Sequence, residues 1–258
     1  MGNMILMTAA PGTGKSTAIQ KIISLIGKDR CGGVYAGEIA ENGERTGFKI
    51  TTLDGKEGVL SSIYSSSPLR VAEFGVNLEE FESICLPALK DALENKEVLI
   101  IDEIGPMQMY SKAYQDMLIQ IAESGKTAVG TIYQGPYPWI DEFKKHKNVE
   151  LIELSLENRD WLPAHIVKTM KEAKERQGES FEIDSEFNEK IQKSKRYCTE
   201  LDRFTLDEFT VTMHSEHDVR TIHYDKIKGY SCTCDFYSRK NTCSHIMAIE
   251  RIRKEKGI

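Results

Sequence analysis

Residues Ala9–Thr17 read AAPGTGKST and lie between an apolar run, MILMTAA, and a stretch from Lys15 to Ile26. In that stretch Ala18, Ile19, Ile22, Ile23 and Ile26 fall at helical spacing. A buried strand that enters a glycine turn and leaves as a helix restricts the chain to an α/β layer with an anion-binding loop at the sheet edge. Gly12 and Gly14 let the backbone curl so that its N–H groups point inward, and the helix start adds roughly half a positive charge. Ala10, Pro11, Gly12, Thr13, Gly14, Lys15, Ser16 and Thr17 form the expected cradle for a nucleotide's phosphates. Lys15 is placed to reach the β- and γ-phosphates and Ser16 to offer a hydroxyl to Mg²⁺. Ala9 stands where such loops usually carry their first glycine.

The chain that follows alternates between strand and helix patterns. GGVYAGEIAENGERTGFKITTL predicts two strands joined by a turn at Asn42-Gly43. NLEEFESICLPALKDALEN predicts a helix, EVLIID a buried strand, and SKAYQDMLIQIAESGK a helix stopped by Gly125; TAVGTIY and NVELIELS are further strands. The economical fold is an α/β one, a mostly parallel sheet with helices on both faces. A helix from Pro163 to about Gln177 follows. Periodicity then breaks at QGESFEIDSE, and from about Asp207 short strands replace it. We therefore expect one domain over residues 1–177, a linker or helical connector over 178–206, and a small α+β unit over 207–258.

VLIIDEIGPM supplies the second part of the site. A carboxylate at the end of a buried parallel strand faces the edge where ligands bind, so Asp102 can join the Mg²⁺ shell. Glu103 is placed to orient and deprotonate an attacking water, and an acid directly after the metal-holding Asp favours hydrolysis over transfer to another small molecule. Arg159, in ENRD, is the candidate positive charge for the leaving phosphates, with an equal claim to a structural ion pair. Arg45 is read as structural; His146, His165, Cys31 and Cys85 are read as surface or packing residues.

TAAPGTGKST, ERTGFKITTLDG, VLIIDEIGPM and LENRDWLP, in this order, resemble the nucleoside-triphosphatase family first known from thermophiles, the cancer-related nucleoside-triphosphatase family. The likeness spans about residues 4–166. It implies a P-loop α/β core of RecA-like or kinase-like type and Mg²⁺-dependent hydrolysis of several nucleoside triphosphates (ATP, GTP and others) to diphosphate and phosphate, with Lys15, Ser16, Asp102 and Glu103 keeping their roles. Gln108 stands where the family usually has Glu, and TIYQ replaces a more basic stretch.

The far end carries CTCDFYSRKNTCSH, Cys232–His245. Cys232, Cys234, Cys243 and His245 are four thiolate and imidazole donors, which suits tetrahedral Zn²⁺ with no open position, a structural rather than catalytic site. A CxC, eight residues, then CxH, with strands before and an apolar helix after, resembles the SWIM zinc-finger family over about residues 207–250. That resemblance implies binding to DNA or protein. Cys198, His214 and His223 lie outside the pattern.

Charge agrees with a basic tail: residues 221–258 carry 8 Lys+Arg against 4 Asp+Glu, whereas residues 1–162 carry 16 against 23. Arg239, Lys240, Arg251, Arg253, Lys254 and Lys256 are the phosphate-facing candidates there. The opening apolar run lacks a basic leader and is too short to span a bilayer, and six cysteines are expected to stay reduced, so no membrane role and a cytoplasmic location are expected. Two other readings share these residues. One is a nucleotide or polynucleotide kinase on the same loop. The other is a DNA- or protein-binding switch timed by nucleotide.

Overall fold

The computed structural model of the chain describes residues 3–206, 210–214, 218–225, 229–240 and 242–256. Packing divides the chain into two compact units, one of Met1–Ile23 with Gly27–Leu154, the other of Ser24–Ile26 with Ser155–Ile258.

The first unit runs β1 (Met4–Thr8), α1 (Lys15–Ile26, whose last turn groups with the second unit), β2 (Cys31–Glu41), β3 (Glu44–Thr52), β4 (Glu57–Ser62), β5 (Arg70–Val71) and β6 (Phe74–Val76). It continues with α2 (Leu78–Asn95), β7 (Val98–Ile104), α3 (Lys112–Glu123), β8 (Thr127–Ile132), α4 (Pro138–Phe143) and β9 (Val149–Glu153). Among the described residues these strands form a nine-stranded sheet in the order β5-β6-β4-β3-β2-β7-β8-β1-β9. From β2 to β9 neighbours pair in parallel; from β2 outward through β3, β4, β6 and β5 they pair antiparallel. The hairpin turn is at Asn42 (φ 51°) and Gly43 (φ 85°), the positive-φ pair that suits the strands' twist. Strands β4 to β6 were not legible, because they are short and carry no clean alternation.

Strand order fixes how the two motifs are spaced: β8 stands between the loop-bearing strand β1 and the acid-bearing strand β7.

The core explains the layers. Leu6, Leu99, Ile101 and Ala128 belong to one apolar cluster with Phe81, Cys85 and Leu89 of α2 and Tyr114, Leu118 and Ile121 of α3. Alternate strand residues Ile5, Met7, Ile100 and Val129 point to the other face and are equally buried. Phe81 and Tyr114 meet edge to face at 5.2 Å, joining α2 to α3.

The second unit contains α5 (Leu162–Arg176), α6 (Ser185–Thr199), the antiparallel strands β10 (Phe204–Leu206), β11 (Thr210–His214), β12 (Val219–Asp225) and β13 (Gly229–Cys232), then α7 (Asp235–Lys240) and α8 (Ser244–Lys256). Asp184 caps α6 by accepting from the Phe187 N–H at 2.9 Å. The division by packing thus falls at Leu154/Ser155, upstream of the 177/178 boundary read from the break in periodicity. Helical spacing shows where α5 ends but not which core it joins. Here Lys168 pairs with Glu250 at 3.6 Å and Glu172 with Arg251, so α5 is bound to α8. The stretch expected as a connector is packed as well: Phe181, Phe187, Ile191 and Tyr197 are buried. Asp207, the expected start of the small unit, lies outside the described residues. No described helix is long and apolar enough to cross a membrane.

Candidate functional site

The phosphate loop leaves β1 at Thr8 and enters α1 at Lys15. Gly12 (φ 77°) and Gly14 (φ 109°) both adopt the left-handed backbone that a curled, inward-facing loop requires. The loop is held locally. Thr13 Oγ1 donates to the Ala10 carbonyl at 2.8 Å, and Lys15 Nζ donates to the Ala9 carbonyl at 3.2 Å, folding the lysine back over the turn.

Asp102 lies near the end of β7, almost fully buried. Its carboxylate accepts from Thr131 Oγ1 at 2.5 Å and from the Ser16 hydroxyl. Burial raises its pKa above the usual carboxylate value, while Thr131, Ser16 and the Lys15 ammonium oppose that rise. Glu103 is partly buried and its pKa is also raised, first by desolvation and then by the Asp102 charge, with Lys15 opposing. A raised carboxyl is a stronger base than a surface one. The Asp102–Glu103 peptide is cis. Lys15, Ser16, Asp102 and Glu103 are therefore gathered at one sheet edge. The hard oxygen donors of Ser16 and Asp102 suit Mg²⁺.

Other candidates are placed differently. Arg159 is exposed in the turn before α5, within the second unit. Arg45 pairs with Glu38 and lies 5.2 Å from the Phe48 ring centroid, a contact inside the hairpin. Cys31 and Cys85 are buried, and burial pushes the Cys31 thiol up to about 12, so both are inert packing groups. Sequence reasoning missed Thr131; a Gly-Thr pair closing a buried parallel strand was the available signal.

In the second unit Cys232, Cys234, Cys243 and His245 offer ligand atoms that all lie within 4.8 Å of one another, and all four residues are buried. Cys232 and Cys234 come from the end of β13 and the turn after it, Cys243 from the residue just before α8 and His245 from that helix's first turn. His245 Nδ1 faces Cys232 Sγ at 3.6 Å, and the Ile246 N–H donates to Cys243 Sγ at 3.5 Å. The thiols compete for one negative charge: hydrogen bonds from Cys232 and Cys243 pull Cys234 down, Cys232 rises to about 11 on its bond to Cys234, and burial raises Cys243. Crowded soft donors of this kind fit a divalent ion such as Zn²⁺. Tyr197 of α6 stacks on the His245 ring at 5.8 Å, a neighbour that the cysteine spacing did not reveal. Cys198, His214 and His223 are not in the cluster.

The basic candidates of the tail are largely engaged within the fold. Arg239 pairs with Glu186 and Arg251 with Glu172, and Arg253 lies over the Tyr224 and Tyr230 rings at 5.1 and 5.5 Å. Lys240 is half-buried; the side chains of Lys254 and Lys256 lie outside the described residues. Residues Ile246–Ile249 of α8 are buried, so this stretch of the helix packs against the unit's own core.

Strand order, glycine loop and paired acids at the carboxyl edge define a P-loop nucleotide-binding α/β protein. A family model described as NTPase matches residues 4–167, and the chain belongs to that family. The nucleoside-triphosphatase THEP1 of Thermotoga sp. (strain RQ2) is 39% identical over 167 residues, covering 65% of this chain and 95% of the relative. The cancer-related nucleoside-triphosphatase homolog of Mus musculus is 33% identical over 190 residues, covering 67% of this chain and all of the relative. The crystal structure of THEP1 from Aquifex aeolicus superposes with a TM-score of 0.59 at 35% identity, covering 65% of this chain and 99% of that one. The Cys/His cluster lies outside the family match.

Proposed function

We infer that the protein hydrolyses nucleoside 5′-triphosphates to diphosphate and phosphate with Mg²⁺ and with broad tolerance of the base. The observation that carries this reading is the gathering of Lys15, Ser16, Asp102 and Glu103 at one edge of the sheet. Loop N–H groups and Lys15 bind the β- and γ-phosphates; Ser16 and Asp102 would hold Mg²⁺, which would supply charge neutralisation. Glu103 takes the proton of the attacking water, its basicity supported by burial. Arg159 is proposed to stabilise the leaving phosphates. The relatives are named as nucleoside triphosphatases, which supports the hydrolytic reading over a kinase.

Zn²⁺ is proposed for Cys232, Cys234, Cys243 and His245. With four protein donors there is no open coordination position, so the ion's contribution is to folding. The small unit is read as a SWIM-type finger that recognises DNA or protein, and the protein is proposed to be cytoplasmic, a compartment in which its cysteines would stay reduced.

Incubation with γ-labelled ATP, GTP, CTP and UTP, with and without Mg²⁺, tests the activity. Label should appear as inorganic phosphate from all four, only with the metal. Label on an added nucleoside or polynucleotide acceptor would establish the kinase instead.

A further inference from the structure

Because β8 separates the loop strand from the acid strand, a residue of β8 has to stand beside the Asp102 carboxylate. That residue is Thr131. It is fully buried, as Asp102 nearly is, and its Oγ1 lies 2.5 Å from Asp102 Oδ1. An ionised carboxylate only accepts, so the threonine donates. The neighbouring Gly130 makes the approach possible: a Cβ there would lie 2.2 Å from the Ile101 carbonyl oxygen, its register partner across the strand pair. On its other side Thr131 is in register with Met7, two residues before the loop begins. One side chain is thus locked between the strand that delivers the phosphate loop and the acid on the next strand.

Resting on the nucleotide-site reading above, we propose that Thr131 is a positioning residue for Asp102. Its hydroxyl ties down one carboxylate oxygen and leaves the remaining lone pairs for Ser16 and for Mg²⁺. It touches neither substrate nor metal itself. The proposal separates Thr131 from a threonine that only fills space, because a filler could be replaced by valine, which has nearly the same shape.

The test uses the full chain and reads metal engagement apart from turnover. Mg²⁺ is titrated against the thermal midpoint in the presence of a non-hydrolysable ATP analogue, for wild type, Thr131→Val and Thr131→Ser. The expected result for Thr131→Val is a half-saturating Mg²⁺ concentration raised by about tenfold or more, the usual cost of losing a partner of a metal ligand. At saturating Mg²⁺ its KM for ATP should stay near the wild-type value, and Thr131→Ser should restore the Mg²⁺ response. A Thr131→Val protein that needs no more Mg²⁺ than wild type overturns the proposal. Should valine prevent folding, Thr131→Ala against Thr131→Ser provides the same contrast, and equal Mg²⁺ responses from those two overturn it. A wild-type protein whose midpoint ignores Mg²⁺ and the analogue overturns the nucleotide-site reading itself, a result visible before any variant is compared.

Discussion

Glu103 and Asp102 are adjacent in sequence, share a raised pKa and are assigned different work by their contacts. Asp102 has two hydroxyl donors, Thr131 and Ser16, which suit a fixed ligand. Glu103 feels mainly burial and the charges of Lys15 and Asp102, which suits a base that must change protonation state. Glu103→Gln keeps the size of the side chain and removes its basicity. The expected outcome is wild-type binding of Mg-nucleotide with kcat lowered by ~10²-fold or more, the scale of a positioned general base. Single-turnover phosphate release beside equilibrium nucleotide binding checks it, and unchanged turnover would remove Glu103 from the mechanism.

At the scale of elements, the sheet is held by close backbone approaches that tolerate no side chain. Gly33 has φ +121°, and a Cβ there would lie 2.1 Å from the Ile100 carbonyl oxygen on β7. Gly33→Ala should therefore force β2 from β7 and cost on the order of 3 kcal/mol, measured as a lowered urea midpoint. In the second unit the contact between α5 and α8 holds an ion pair whose lysine, Lys168, is buried and whose acid, Glu250, is half-buried. Burial raises the Glu250 pKa and lowers that of Lys168. Between Glu250's unfolded and folded values the folded chain keeps a proton that the unfolded chain has lost, so stability falls as pH rises through that window. Lys168 acts in the alkaline range with the opposite slope, its folded form gaining stability as pH rises. Comparing urea midpoints of wild type and Glu250→Gln across the acid range isolates the Glu250 share, since the cysteines are common to both proteins. The wild type alone should show the extra loss of stability on raising pH; parallel curves would contradict this account of Glu250.

For the whole molecule, the two compact units have different means of support. The first has a large apolar core between α2, α3 and the sheet. The second places a crowded Cys/His set where β13, the turn after it and α8 meet, with Tyr197 of α6 stacked on His245. A strong Zn²⁺ chelator should abolish the melting transition of the second unit and leave the affinity for Mg-nucleotide unchanged, as followed by circular dichroism and by nucleotide binding on one sample. Simultaneous loss of both would show that the loop depends on the metal. Legibility followed the same division. The loop, the hairpin turn at Asn42-Gly43 and the four soft donors could be read because each is set by residues close in the chain. Thr131, Tyr197 and the α5–α8 pair could not, because each partner is brought in from another strand or helix.

From the order of residues alone came an anion-binding turn between strand and helix, an acid pair closing a buried strand, and a set of soft donors at the far end. These are local consequences of glycine freedom, side-chain periodicity and donor chemistry. Tertiary structure decided that β8 lies between the loop and the acids, that Thr131 consequently grips Asp102, and that α5 joins the core of the second unit. Strand order and core membership depend on which distant apolar faces pack together, a choice that periodicity within one segment does not encode.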